Sequence, residues 1–231
     1  PIPSINATPV VIPPPPRLAH DDGHAGLWVI GGDSPESIHL ADGCDAVQIA
    51  WSPDGNLIAC NYVSLTVFDF TGTEVFRRDD LPPSGSIAWS PDSRHLAFRG
   101  ADQAIHVVDV VSGDDRSVSE DGYPLEWLTE AQLLAGLDLV ETQLDQTYTT
   151  YLVDVTTGES MPFAGLDRFF WLFPSRQRAI VYTAGAESSM AMYDLVTGEE
   201  QPVTGGNLAH PSEGIPRGSV AISSDESTFY A

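Results

Sequence analysis

The sequence predicts an all-β chain folded as a five-bladed β-propeller of four-stranded blades. Three observations predict it. First, Ala50-Trp51-Ser52-Pro53-Asp54-Gly55, followed by Leu57-Ile58-Ala59, returns as Ala88-Trp89-Ser90-Pro91-Asp92-Ser93, followed by Leu96-Ala97-Phe98. A weaker copy is Trp127-Leu128-Thr129-Glu130 before Leu133-Leu134-Ala135, so Trp51, Trp89 and Trp127 stand 38 residues apart twice over. A fixed period of this length marks a repeat architecture. Second, a hairpin motif recurs as Val67–Gly72, Val108–Gly113, Val153–Gly158 and Tyr193–Gly198, with an Asp and a Gly in each copy. Third, the chain begins with the last two strands of a unit and ends with the first two, so two halves complete one blade.

The elements follow in order. Residues 1–23 are read as a proline-rich spacer, because seven of the 18 prolines lie between Pro1 and Pro16. Proline fixes φ and removes a backbone donor, which favours extended polyproline II. His20-Asp21-Asp22-Gly23-His24 is read as a turn at the domain entrance rather than a metal site. Residues 24–231 form a single propeller domain. Its first hairpin is Leu27–Ile30 with Ser37–Leu40. Blade strands are then expected at 46–50, 57–61, 65–70 and 75–76; at 86–88, 95–98, 105–110 and 117–118; at 124–126, 133–139, 149–155 and 160–162; and at 168–170, 178–182, 190–195 and 201–203. Ser219–Tyr230 repeats the Ala-Trp-Ser-Pro-Asp-Gly hairpin with Ile222 in the Trp place, and pairing it with Leu27–Leu40 would close the ring and remove two exposed edges. The alternative is a fragment of a larger propeller of 6–8 blades.

Each recurring Gly supplies the positive φ of a hairpin turn, and each recurring Asp can accept from local backbone N–H groups. Their recurrence at one joint in every unit makes them structural rather than catalytic. The two cysteines are read as reduced: a ladder closing at Pro53-Asp54-Gly55 puts Cys60 beside Ile49, and running the strand straight back leaves Cys44 out of bonding range.

The chain has 231 residues and a net charge of −23, with ten basic residues, all Arg. That field repels phosphate backbones and anionic lipid, so nucleic-acid and membrane-surface binding are disfavoured, while cations or a basic partner are attracted. No apolar run is long enough for a membrane helix, and no basic region followed by an apolar one marks a signal peptide.

The Ala-Trp-Ser-Pro-Asp-Gly-x-x-Ile-Ala pattern, followed by Val-x-Asp-Val-x-x-Gly, resembles the WD40-like (PD40) repeat of TolB-type propellers. The resemblance implies a protein-binding or gating scaffold outside the bacterial cytoplasm, and it carries no catalytic motif to transfer. The sequence itself has no Gly-x-Ser-x-Gly elbow, phosphate-binding loop or His-Glu-x-x-His.

Function is therefore sought at the channel mouth, where the innermost strands begin. The residues expected there are Asp45, Tyr123, Glu126, Asp167, Arg168 and Arg217, as a site for a polar ligand, a partner or a cation such as calcium. No cofactor is expected. An enzymatic alternative, a propeller glycosidase, would need two of Asp45, Glu126 and Asp167 at about 5–9.5 Å separation. A docking surface would instead show an exposed apolar patch near residues 204–217 or 141–147, with Tyr62, Tyr123, Tyr148, Phe169 and Trp171 as candidates. The expected molecule is a monomeric, non-catalytic, exported scaffold, tethered through its proline spacer and bound to a protein partner, with a basic partner favoured by the charge.

Overall fold

In the computed structural model, 21 strands are assigned among the described residues. Those residues are 17–21, 26–31, 34–42, 44, 48–61, 64–79, 81–82, 86–142, 145–163, 169–173, 177–183, 189–195, 197–203, 221–222 and 229–230. Strands β1 (Arg17–Asp21), β2 (Gly26–Gly31) and β3 (Ser34–Asp42) make a three-stranded antiparallel sheet in that order. Four sheets of four strands follow. The second holds β4 (Gln48–Trp51), β5 (Leu57–Asn61), β6 (Leu65–Asp69) and β7 (Glu74–Arg78). The third holds β8 (Ile87–Trp89), β9 (His95–Arg99), β10 (Ile105–Asp109) and β11 (Asp115–Ser119). The fourth holds β12 (Tyr123–Trp127), β13 (Gln132–Thr142), β14 (Asp145–Asp154) and β15 (Ser160–Pro162). The fifth holds β16 (Phe169–Leu172), β17 (Arg178–Thr183), β18 (Ser189–Asp194) and β19 (Glu200–Pro202). The short strands β20 (Ala221–Ile222) and β21 (Phe229–Tyr230) pair with each other.

Two units divide the chain: residues 1–102 with 106–116, and residues 103–105 with 117–231. In the first unit, one buried cluster joins Leu27 and Ala41 of the first sheet to Ile58, Cys60 and Phe68 of the second. Another joins Ala59, Leu65 and Val67 to Ile87, Trp89, Leu96, Phe98 and Val108. Burying both faces of a sheet against its neighbours explains why these strands read as nearly continuous apolar runs. The fourth strands are the exception. β7, β15 and β19 are mostly exposed, and β7 and β19 carry charged or polar residues such as Glu74, Arg77, Arg78, Glu200 and Gln201.

In the second unit, Trp127, Leu133, Leu134 and Val153 are fully buried in the fourth sheet. Tyr151 Oη donates to the Asp121 carbonyl at 2.6 Å and lies 3.2 Å from Ser119 Oγ. Gly122 has φ 130°, and a Cβ there would fall 2.2 Å from Tyr151 Oη, so only glycine fits beneath that phenol. In the fifth sheet, the Arg178 guanidinium lies over the Phe173 ring, 4.9 Å from its centroid.

Several expectations change here. Arg17–Asp21, read as the end of the spacer, is strand β1 and pairs with β2 from Arg17↔Gly31 to Asp21↔Leu27. The proline run ends at Pro16, and every residue from Arg17 to Asp21 again offers a backbone donor. His20 and Asp21 therefore belong to a strand, while the turn expected at 22–24 lies outside the described residues. β2 lies between β1 and β3, so the edge expected to receive Ser219–Tyr230 is taken by β1. No ladder between that C-terminal segment and β2 or β3 is present among the described residues. The connection expected at 141–147 is instead a long hairpin, with Thr142 opposite Asp145 and a bulge between Asp138 and Glu141.

The cysteines are the clearest correction. Cys44 and Cys60 form a disulfide, with Cα atoms 5.6 Å apart. Cys60 does pair with Ile49, as expected. The ladder begins only at Gln48, however, so strand geometry does not carry back to Cys44. Cys44 is fully buried with Leu27 and Ala41 of the first sheet, in the same cluster as Cys60.

Candidate functional site

The repeat's polar residues form turn cradles. Ser52 Oγ donates to Asp54 Oδ1 at 2.6 Å and accepts from Leu57 N at 2.9 Å. Asp54 also accepts from Asn56 N at 3.1 Å and Nδ2 at 2.8 Å. Burial pushes the Asp54 carboxyl up, but the bonds from Ser52, Asn56 and Ser93 outweigh it and hold the group below its usual range. Asp92 repeats this: burial opposes, while Ser90, the Arg94 amide and His95 lower it. At the other joint, Asp69, Asp109, Asp154 and Asp194 accept from amides two or three residues on. Gly72, Gly113, Gly158 and Gly198 take φ of 85°, 77°, 76° and 75°. Asp109 also accepts from Arg94 Nε at 2.7 Å. That bond, against burial and with the Ser112 and Val111 amides, lowers its carboxyl to about 2. Asp54, Asp69, Asp92 and Asp109, held low by their turn bonds, carry no poised proton for acid–base chemistry.

The same motif builds a seam between the second and third sheets. Gln48 Nε2 donates to the Ile87 carbonyl at 3.3 Å, and Ile87 N donates to Gln48 Oε1 at 3.0 Å. Trp89 Nε1 donates to the Ala50 carbonyl at 3.1 Å, and Asp54 N donates to Ser93 Oγ at 2.9 Å. Each bond spans 39 residues, so one repeat grips the next. Trp51 occupies the place of Trp89 one repeat earlier, yet its buried Nε1 has no acceptor among the described residues.

Of the six channel-mouth residues, the structure places two. Tyr123 and Glu126 lie half-buried on β12, opposite Gly136 and Leu134, with an irregularity between Pro124 and Glu126. Asp45, Asp167, Arg168 and Arg217 lie outside the described residues, as do Tyr62 and the 204–217 loop, so the six are not brought together here. Tyr148, Phe169 and Trp171 are placed as strand positions. Leu172, not Trp171, holds the place of Trp51, because Leu172 pairs with Ala179 as Trp51 pairs with Ile58. The ladder of this sheet carries an irregularity between Phe169 and Trp171. Among the described residues, no group of three His, Cys, Asp or Glu side chains could hold a metal ion.

Exposed apolar side chains lie elsewhere: Ile38, Val111 and Met161 singly, and two on one hairpin. Phe70 is 56% exposed and Val75 43% exposed, both on the β6–β7 hairpin. The residue after the turn Asp is buried at Val110 and Val155. There its amide donates back to the carbonyl before the second strand: Val110 to Arg94 at 3.1 Å and Val155 to Ala131 at 2.8 Å. The β6–β7 hairpin is one residue shorter, with Gly three places after Asp69 rather than four, and Phe70 turns outward. That spacing was visible in the sequence, although the four hairpins read as one motif.

No family model matches the chain, and no curated protein does. Solved structures do. TolB from Acinetobacter baumannii is similar at 16% identity and TM-score 0.54, over 79% of this chain and 49% of that one. The β-propeller domain of the Trilobed protease from Pyrococcus furiosus is similar at 15% identity and TM-score 0.53, over 81% and 66%. A chain of the mitotic checkpoint complex is similar at 14% identity and TM-score 0.56, over 80% and 60%. The match thus spans less than two thirds of each of those chains, and at such identities it speaks to fold alone. With four successive four-stranded antiparallel sheets and a repeat that locks each turn in the same way, the chain has a WD40-like, TolB-like β-propeller fold.

Proposed function

We propose that this chain is a non-catalytic, exported scaffold that docks a protein partner through the β6–β7 hairpin. The observation that carries the reading is Phe70, a large aromatic more than half exposed where two sister hairpins bury the equivalent residue, Val110 and Val155. Aromatics presented in this way serve as anchors in protein interfaces. Asp69 and Glu74 flank it, and the net charge of −23 favours a basic partner. The likeness to a chain of the mitotic checkpoint complex supports a protein partner in kind, without naming one. The buried Cys44–Cys60 disulfide supports export, because such bonds persist in oxidising compartments.

The test is capture of partners from source-cell extract on the immobilised chain, with Phe70→Ser beside the wild type, at low and at high salt. Proteins held by the wild type should be lost with Phe70→Ser and weakened by salt. An identical captured set with both proteins would sink the docking face. Export is checked separately by thiol labelling of the protein taken directly from its cells, where free Cys44 and Cys60 would count against it.

A further inference from the structure

The third sheet carries a polar cluster that the turn cradles do not use. His106, on β10, brings both of its ring nitrogens to carboxylates. Nδ1 lies 2.9 Å from Asp115 Oδ1 on β11. Nε2 lies 3.2 and 3.1 Å from the two carboxylate oxygens of Asp102, in the turn between β9 and β10. The Arg78 guanidinium of β7 donates to the other oxygen of Asp115, so the second and third sheets share that carboxylate. The imidazole stacks on the buried Phe98 ring, with centroids 5.4 Å apart and planes 24° apart. Gly100 makes room for the pair. A Cβ there would fall 2.5 Å from Asp102 Oδ1 and 2.7 Å from His106 Cδ2, so any other residue would wedge between them.

Such a cluster is complete in one protonation state only. An ionised carboxylate can only accept, and a neutral imidazole has a single N–H to give. Carboxylates on both ring nitrogens therefore call for an imidazolium, a charge that the face of Phe98 also favours. Once the second proton leaves, one nitrogen turns a lone pair toward a carboxylate. Asp115 is 16% exposed and held by Arg78 as well, whereas Asp102 is 59% exposed and can swing into water. The remaining proton belongs on Nδ1, facing the more buried carboxylate, and the contact with Asp102 is the one given up. The turn so released is under strain, because Gln103 holds a φ of 71° without being glycine.

We infer that His106 is a pH-sensitive clasp: with two ring protons it straps the β9–β10 turn to the third sheet through Asp102, and with one it lets that turn go. The clasp is closed in mildly acid medium and opens as the medium turns alkaline, across the range in which histidine exchanges its charge. The charged groups that face it are Asp102 from the turn, Asp115 from β11 and, through Asp115, Arg78 from β7. The device does not depend on docking at Phe70.

The test uses the full chain labelled with 13C and 15N, whose six histidine rings are assigned with His106→Gln among the variants. Ring 15N signals read which nitrogens of His106 carry protons, and 13C relaxation at the Cα of Asp102 and Gln103 reads the order of the turn. At about pH 5 both ring nitrogens should be protonated and the turn rigid, with an order parameter of about 0.85. At about pH 9 only Nδ1 should keep its proton, and the order parameter of the turn should fall below about 0.6. Asp102→Asn supplies the control that a merely structural contact would not pass. An amide can accept from the imidazolium or donate to the neutral ring, so in this variant the turn should stay rigid at both pH values. Three results overturn the clasp: a His106 ring with the same protons throughout, a ring that loses its Nε2 proton while the turn stays rigid, or an Asp102→Asn turn that loosens as the wild type does.

Discussion

The two seams of the first unit are held by different means. Between the second and third sheets, Gln48 with Ile87, Trp89 with Ala50 and Asp54 with Ser93 make polar bonds one repeat apart. Between the first and second sheets, the Trp51 bond is unmade, and a buried disulfide lies within the cluster that joins the sheets. A sequence repeat builds its own seam only where the neighbour supplies the matching strand. Where the neighbour departs from the pattern, the seam relies on apolar packing and a covalent link.

The largest expected effect separates the two hairpins that follow third strands. Gly72→Ala would drive a Cβ to 2.0 Å from the Leu40 carbonyl, at a φ of 85°. Backbone must move, so a loss of about 3 kcal/mol or more is expected in urea unfolding. Gly113 has a similar φ of 77°, but a Cβ there meets nothing within 4 Å. Gly113→Ala should cost only the conformational penalty, about 1 kcal/mol. Equal losses would mean that the hairpin after β6 does not press on the first sheet.

Next in size is the staple. Replacing Cys44 and Cys60 together by alanine opens a link of sequence separation 16, and the expected loss is about 2–4 kcal/mol. Reductant should reproduce the effect in the wild type and leave the double variant unchanged. If the double variant melts at the wild-type temperature, packing alone holds this seam.

Much of the fold was legible because the repeat is local. The hairpin register Trp51↔Ile58, the strand Leu57–Asn61 and the positive φ of Gly72, Gly113, Gly158 and Gly198 all follow from turn chemistry within a few residues. The C-terminal copy keeps this register too, with Ile222 opposite Phe229 as Trp51 is opposite Ile58. The disulfide was not legible because it depends on where Cys44 packs after leaving the first sheet, which strand spacing cannot supply. β1 was hidden by the prolines just before it. The exposed Phe70 was masked by treating hairpins of different length as equivalent. Of the channel-mouth residues, only Tyr123 and Glu126 are described, both on β12 near its expected limits.

A finer contrast lies in the two indoles. Trp89→Phe removes the donor to Ala50 and strands a carbonyl in the seam, for about 1–2 kcal/mol. Trp51→Phe removes a donor that has no acceptor among the described residues, so stability should stay within about 0.5 kcal/mol or rise. The sign of the difference between the two variants is the measurement. A Trp51→Phe loss as large as that of Trp89→Phe would show that Trp51 is already paired and that the two seams are alike.

The smallest effect is electrostatic and belongs to the third sheet. Asp109 is lowered from 3.8 to about 2, chiefly by its bond from Arg94. A carboxyl lowered on folding contributes stability that is fully present above its ordinary value and lost as pH falls through its folded one. The contribution should therefore fade between roughly pH 4 and pH 2. Arg94 is 58% exposed and solvent screens the pair, so about 1 kcal/mol is expected rather than the full shift. Asp109→Asn should be less stable at neutral pH, and its stability should vary less with pH across that acid window. An acid limb as steep in the variant as in the wild type would assign the acid sensitivity to the other turn carboxylates, Asp54, Asp69 and Asp92, which are also lowered.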